Sequence, residues 1–85
     1  MRRITINSYI IADPRICHGK PTFKGTRIMV WQALEMLAAG ETISDIREAF
    51  PSLTARHVEA ALEYASSLTK ESYVVLSTQP VLSPR

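Results

Sequence analysis

Cysteine, long apolar runs and internal repeats are scarce or missing in this sequence, and each absence excludes a class of protein. The single cysteine, Cys17, cannot form an internal disulfide, as is typical of a reducing compartment. No apolar run approaches the ~20 residues that a membrane span needs, and residues 1–5 lack the apolar run of a signal peptide. We therefore expect a cytoplasmic protein whose 85 residues form one small domain, stabilised by a second copy or a partner.

Residues suited to catalysis or metal binding do not assemble into a recognisable motif. Residues 19–22 resemble the end of a phosphate-binding loop, but the upstream glycine is absent and Pro21 separates the lysine from the hydroxyl residue. Cys17 and His18 are adjacent potential ligands, whereas a structural zinc site needs about four and the other histidine is His57. No grouping of serine, histidine and acid stands out. We expect no enzyme activity, no metal and no cofactor.

Charge is divided unevenly along the chain, although the net charge is only +2. Residues 1–27 contain six cations and one acid, a net charge of +5, whereas residues 28–69 contain two cations and six acids, a net charge of −4. A surface of one sign attracts partners of the other sign. The basic front segment is therefore the expected polyanion-binding surface. Its candidate DNA-contacting residues are Arg2, Arg3, Lys20, Lys24 and Arg27.

Apolar residues at helical spacing predict three consecutive helices in the second half of the chain. The predicted helices cover residues 30–39, 43–50 and 55–69. On the third helix we expect one buried stripe, formed by Val58, Ala61, Leu62, Ala65 and Leu68. The second and third helices, joined by a short turn, have the pattern of a helix-turn-helix, whose later helix would lie in the major groove of DNA.

Residues that favour helix termini mark the ends of these three helices. Gly40 is expected to end the first helix in a left-handed conformation, because it has no side chain to clash there. Thr42 and Asp45 have the spacing of a cap for the second helix. Phe50 precedes a proline and is therefore the expected last residue of the second helix. Thr54 is the predicted cap of the third helix.

The segment before the helices has the character of strands and turns. Residues 4–7 alternate between apolar and polar side chains, which predicts a short strand, and residues 9–11 predict a second. The glycine- and proline-rich residues that follow cannot form a helix. Lys24-Gly25 is expected to turn a small hairpin between Thr22-Phe23 and Thr26-Arg27, with a cationic tip.

Four apolar residues near the C-terminus form the candidate site for a protein partner: Tyr73, Val74, Val75 and Leu76. Their aromatic and β-branched side chains favour an extended strand that could add to the edge of a partner's sheet. The same strand could instead pair with Ile4 to Ile6 of its own chain or of a second subunit. Residues 77–85 contain two prolines and no periodicity, which favours disorder until something binds.

Four short motifs in fixed order resemble a known family. They are HGKP at residues 18–21, KGTRI at 24–28, LAAG at 37–40 and PSLT at 51–54. Each would be weak evidence alone, but their order is specific. Over about residues 4–68 the chain resembles the small bacterial and archaeal family catalogued as domain of unknown function 433.

The resemblance implies a fold and a role. It implies a homeodomain-like trihelical fold with a short β-element in front, so we expect a mainly α protein. Its domain would cover residues 1–69, with the β-element and basic hairpin in 1–29 and the helix-turn-helix unit in 30–69, before an extended tail over 70–85. Family members are commonly regarded as antitoxins that pair with a PIN-like ribonuclease toxin and repress their own operon. The family offers no established catalytic residues.

The predicted recognition helix carries further candidates for DNA contact. Arg56 could hydrogen-bond a guanine edge, and Thr54 or His57 could hold a phosphate. Glu59 and Glu63 on the same exposed face would repel the DNA backbone. The helices could therefore form only a packing scaffold or a dimer surface, and the front cations could simply be solvated.

These patterns and the resemblance together give our expected function. We expect the antitoxin of a type II pair, which neutralises a PIN-like ribonuclease, binds operator DNA, regulates transcription and forms a homodimer or a higher homo-oligomer. If the tail binds that nuclease, Arg85 could approach its acidic metal site and block it. The alternative is a protein-only dimerisation or interaction module that binds no DNA.

Overall fold

The computed structural model of the protein describes residues 2–71. Its elements are β1 (Ile4–Asn7), β2 (Ile10–Ala12), β3 (Thr22–Phe23), α1 (Val30–Ala38), α2 (Ile43–Ala49) and α3 (Ala55–Glu71). Lys70, where the predicted tail begins, is still part of α3. The predicted partner-binding residues, Tyr73 to Leu76 and Arg85, lie outside the described residues. Within residues 2–71, no helix combines the length and the apolar character needed to cross a membrane.

The three strands form one antiparallel sheet in the order β1-β2-β3. Ile4 of β1 pairs with Ala12 of β2, and Ile10 of β2 pairs with Phe23 of β3. Ile10 and Phe23 are fully buried among core residues of the helices. The expectation of a mainly α, homeodomain-like fold is therefore wrong. The protein is a small mixed α/β domain, because the sheet supplies part of the core rather than standing in front of it.

The predicted hairpin is present, but its return arm differs. Residues 23–26 form a β-turn in which the Thr26 N–H donates to the Phe23 carbonyl at 2.9 Å, with Gly25 in the left-handed region (φ +80°). Thr22 pairs with Met29, and the Phe23 N–H donates to the Ile28 carbonyl. The chain thus returns through residues 28–29, not through Thr26-Arg27.

Two of the predicted helix termini have the expected geometry. Gly40 follows α1 in a left-handed conformation (φ +92°). Thr42 and Asp45 form a capping box: the Asp45 N–H donates to Thr42 Oγ1, and the Thr42 N–H donates to Asp45 Oδ2 at 2.8 Å. Hydrogen bonds from the backbone N–H and the hydroxyl of Thr42 lower the pKa of the Asp45 carboxyl. The helix α2 ends at Ala49, with Phe50 as its non-helical cap.

The buried face of α3 differs from the predicted stripe. Val58 and Ala61 are buried as expected, but Ala60 is also buried although the stripe places it on the opposite face. Leu62 and Leu68, predicted to be buried, are 48% and 51% exposed. Ala60 is buried because of the sheet: the Asn7 side-chain amide donates to the Ala60 carbonyl at 3.3 Å, so β1 covers a face of α3 that would be open in a purely helical domain.

Candidate functional site

Three aromatic rings join the N-terminal end of α3 to the sheet. The His57 ring makes edge contacts with Tyr9 and Phe23, at centroid distances of 5.0 and 5.7 Å. Tyr9 lies in the turn between β1 and β2, and Phe23 opens the hairpin turn. The Lys24 N–H also donates to the Tyr9 carbonyl at 2.8 Å. These contacts place the hairpin tip and the β1–β2 turn beside the start of α3.

Two predicted phosphate-binding residues already bond to each other. The Thr54 N–H donates to Nδ1 of His57 at 3.0 Å, and Thr54 Oγ1 lies 2.9 Å from the same nitrogen. Nδ1 must be unprotonated to accept the backbone N–H, which assigns the ring proton to Nε2. With its ring half-buried between Tyr9 and Phe23, His57 is a cap and a packing residue. Thr54 and His57 therefore orient α3, and their phosphate contacts stay a prediction.

Arg56 and Lys24 are the exposed cations next to this aromatic cluster. Arg56 precedes His57, and Lys24 follows Phe23. The first turn of α3 contains no acidic residue. The first acid of α3, Glu59, follows one turn later. Glu59 and Glu63 line one shallow pocket of about 180 Å³ together with Arg56 and the β1–β2 turn. Beside the aromatic cluster, positive charge thus lies at the start of the helix and at the hairpin tip.

Two of the remaining predicted DNA-contacting cations lie on other surfaces. Arg2 borders a pocket with Ala12 and His18, at the end of the sheet away from Tyr9 and Lys24. Lys20 lines a groove between α1 and α3. Arg3 and Arg27 have exposed side chains. The structure therefore brings Lys24 close to the start of α3 and places Arg2 and Lys20 on other surfaces.

The loop between β2 and β3 contains a left-handed turn that the sequence does not predict. Cys17, His18 and Gly19 have φ values of 51°, 59° and 85° in succession. Two non-glycine residues in this region are uncommon and store backbone strain. The Cys17 thiol donates to the Arg27 carbonyl at 3.5 Å, which ties the turn to the hairpin. Among residues 2–71, no group of three or more His, Cys, Asp or Glu side chains could hold a metal ion.

An apolar groove between α1 and α3 is the feature that sequence reasoning missed. Its volume is about 500 Å³ and its apolar lining residues include Val30, Trp31, Leu34, Tyr64 and Leu68. The side chains of Trp31 and Leu68 remain 48% and 51% exposed. The helical periodicity of α1 and α3 suggests burial at these positions, so only the packing angle of the two helices reveals the groove. We call this surface the α1/α3 groove.

Comparisons with known proteins agree with the motif pattern. The family model described as "Protein of unknown function (DUF433)" matches residues 10–65. The chain is also 34% identical over 58 residues to "Uncharacterized protein y4eO" of Sinorhizobium fredii. That alignment covers 68% of this chain and 26% of the relative, so the chain spans about a quarter of the relative's length. No solved structure matches the chain. With two thirds of its length matched by the family model, the chain belongs to the DUF433 family.

Proposed function

We propose that this protein is an antitoxin-type regulator that binds operator DNA through the start of α3 and the hairpin tip, and that neutralises a PIN-like ribonuclease. DNA contact is confined to one end of the domain. The front cations on other surfaces are not part of that interface. The proposal assigns no catalytic activity to the chain.

The contact between His57 and Phe23 is the observation that supports DNA binding most directly. It links the residue after Arg56 to the residue before Lys24, so two exposed cations flank one aromatic cluster. The N-terminus of a helix carries a partial positive charge, and the first turn of α3 has no acid to cancel it. This combination suits a phosphate backbone or a base edge entering between the helix and the hairpin.

Dimerisation is part of the proposal. One short helix end and one hairpin tip can contact only a few base pairs, whereas a two-fold pair doubles the number of contacts. The tail residues Tyr73 to Leu76 and Arg85 carry the proposed contact with the ribonuclease. The start of α3 and the tail that follows α3 are separate parts of the chain, so one protomer can hold DNA and nuclease together.

The acids of α3 favour a second candidate, a protein-only interaction module. Glu59 and Glu63 share a pocket with Arg56, and both carboxylates repel a phosphate backbone. If they dominate the potential around Arg56, the domain binds another protein at this surface and binds no DNA. DNA retention separates the two candidates.

Binding of a fluorescent duplex from the chain's own promoter tests the proposed DNA binding. We expect the full chain to bind this duplex and the variant Lys24→Ala/Arg56→Ala to lose most of its affinity. Arg2→Ala/Arg15→Ala is the matched control, because it also removes two positive charges: Arg2 lies at the end of the sheet away from Tyr9, and Arg15 lies 3.6 Å from the Asp13 carboxylate. No binding by the full chain, or equal loss in the control, would reject the DNA interface. Metal-dependent cleavage of the duplex would contradict the absence of catalysis.

Capture of partners by the tagged full chain tests the proposed contact with the ribonuclease. We expect an acidic nuclease of PIN-like sequence to be recovered by the full chain and lost when Tyr73, Val75 and Arg85 are replaced by serine. A matched variant, Ser77→Ala/Thr78→Ala, should retain it. Recovery of the protein's own copies alone would leave the DNA proposal standing and remove the antitoxin role.

A further inference from the structure

The α1/α3 groove is lined almost entirely by apolar side chains. Val30 forms part of its buried floor, while Trp31 on α1 and Leu68 on α3 keep about half of their surfaces exposed at its rims. Exposed apolar surface that is concentrated in a groove marks an interaction site, whereas scattered exposed apolar residues do not. The groove therefore suits an apolar occupant.

Charge and size limit what that occupant can be. Lys20 is the one charged residue among the groove's lining residues, so the groove offers little to a charged ligand. An extended segment of four residues spans about 13 Å. Between Tyr64 and Leu68 on the groove wall, α3 rises about 6 Å. A four-residue apolar strand is therefore long enough to cover the exposed wall of the groove.

The chain itself carries such a segment close to the groove. Leu68 lies three residues before Glu71, the last residue that the structure describes, so the tail begins near the end of the groove. Tyr73 to Leu76 follow at once and are all apolar or aromatic. No charged side chain occurs from Ser72 to Pro84. This segment matches the groove in polarity, and its attachment to α3 gives it a high effective concentration there.

We propose that the α1/α3 groove is the docking site for this chain's own residues Tyr73 to Leu76. The segment folds back along α3 and covers Trp31 and Leu68. A nuclease that binds Tyr73 to Leu76 must then displace them from the groove. The docking itself requires neither DNA nor a nuclease, so its test is independent of the proposed function.

Trp31 reports on the docking directly, because it is the one tryptophan of the chain. In the full chain, we expect replacement of Tyr73 to Leu76 by serine to shift the Trp31 emission to longer wavelength and to increase its quenching by acrylamide. The matched control is Val81→Ser/Leu82→Ser, which removes the tail's other apolar pair and should change neither quantity. Identical spectra in the serine variant and the unmodified chain would overturn the proposal.

The concentration dependence identifies whose tail occupies the groove. Docking within one chain predicts that Trp31 protection is constant across dilution, while sedimentation velocity reports the mass. Protection that disappears together with a dimer would assign the groove to a second copy and would reject docking within the chain.

Cleavage by chymotrypsin provides a second measurement that does not depend on tryptophan. A docked segment resists cleavage after Tyr73, so Leu68→Ser should accelerate that cleavage. Leu62→Ser is the control on the same helix, because Leu62 is equally exposed but does not line the groove. Equal cleavage rates in Leu68→Ser and the unmodified chain would contradict the proposal, and unchanged circular dichroism would confirm that both variants are folded.

Discussion

Thr54 and His57 cap α3 reciprocally: the Thr54 N–H donates to His57 Nδ1 at 3.0 Å, and the His57 N–H donates to Thr54 Oγ1 at 3.4 Å. This is the arrangement of a capping box, with an imidazole nitrogen in place of the usual glutamate or glutamine oxygen. The imidazole also packs against Tyr9 and Phe23, which a carboxylate could not do well. The His57 side chain thus caps the start of α3 and attaches the helix to the sheet.

The double role of His57 predicts a graded series of stabilities. Thr54→Ala removes one capping acceptor and should lower the free energy of unfolding by about 1 kcal/mol. His57→Ala removes a cap and two aromatic contacts, and should lower it by about 2 kcal/mol. His57→Gln keeps an acceptor, so its decrease in the free energy of unfolding should lie between those of Thr54→Ala and His57→Ala. Urea unfolding followed by circular dichroism measures all three. His18→Asn, at an exposed left-handed position, is the control and should change little.

The helices could be predicted from the sequence because their signals are local. Asp45 lies three residues after Thr42, and Gly40 follows the last apolar position of α1, so each helix end is specified within a few residues. The strands were also predicted, but their pairing into one sheet could not be predicted in this way. The pairing of Ile10 with Phe23 joins segments that are separated by a left-handed turn. No local pattern specifies that turn or the strand register.

The functional surface shows the same division between local and non-local information. The charge pattern identified Lys24 and Arg56 as exposed cations, and both are exposed. That His57 faces Tyr9 and Phe23 depends on the sheet, so the sequence did not reveal its packing role. Its phosphate contact stays a prediction. The α1/α3 groove depends on how two helices pack, which helical periodicity alone does not determine.

The Asp45 carboxylate predicts a pH dependence of stability. The hydrogen bonds from Thr42 lower the pKa of Asp45 in the folded protein from its ordinary value of 3.8. The unfolded state then binds the proton more tightly, so this contribution to stability is complete above the ordinary value and is lost as pH falls through the folded value. Between pH 5 and pH 2, in steps of about one unit, the unmodified chain should lose stability faster than Asp45→Asn. Parallel curves would show that the capping box has no such effect.

The hairpin tip predicts the salt dependence of DNA binding. Each phosphate contact contributes a slope of about −0.9 to the logarithm of affinity against the logarithm of salt concentration. Lys24→Ala with Arg27→Ala should flatten that slope, and we expect Lys24→Ala alone to account for most of the change because it lies beside the aromatic cluster. Fluorescence anisotropy at several salt concentrations measures the slope. An unaltered slope in the double variant would remove the hairpin from the interface.

The proposed role of Arg85 predicts a variant that loses inhibition of the ribonuclease but keeps DNA binding. If its guanidinium approaches the acidic metal site of the ribonuclease, Arg85→Glu places a negative charge against that site and should restore nuclease activity in a mixture of the two proteins. DNA affinity should stay unchanged, since Arg85 is not part of the proposed DNA interface. Arg47→Glu, an exposed charge reversal on α2, is the matched control and should leave inhibition intact. Inhibition that persists in Arg85→Glu would leave Tyr73 to Leu76 as the contact and exclude the blocking role.

Glu59 and Glu63 predict a gain of affinity. Both carboxylates share the pocket of Arg56, so they weaken its attraction for a phosphate. Glu59→Gln and Glu63→Gln preserve the side-chain shape and remove the charge, and each should tighten DNA binding at low salt, with a smaller effect at high salt because exposed charges are screened. Glu35→Gln on α1 makes the same change in net charge away from the site. If all three variants bind DNA equally well, the gain reflects net charge alone; a gain limited to Glu59 and Glu63 places the DNA against the start of α3.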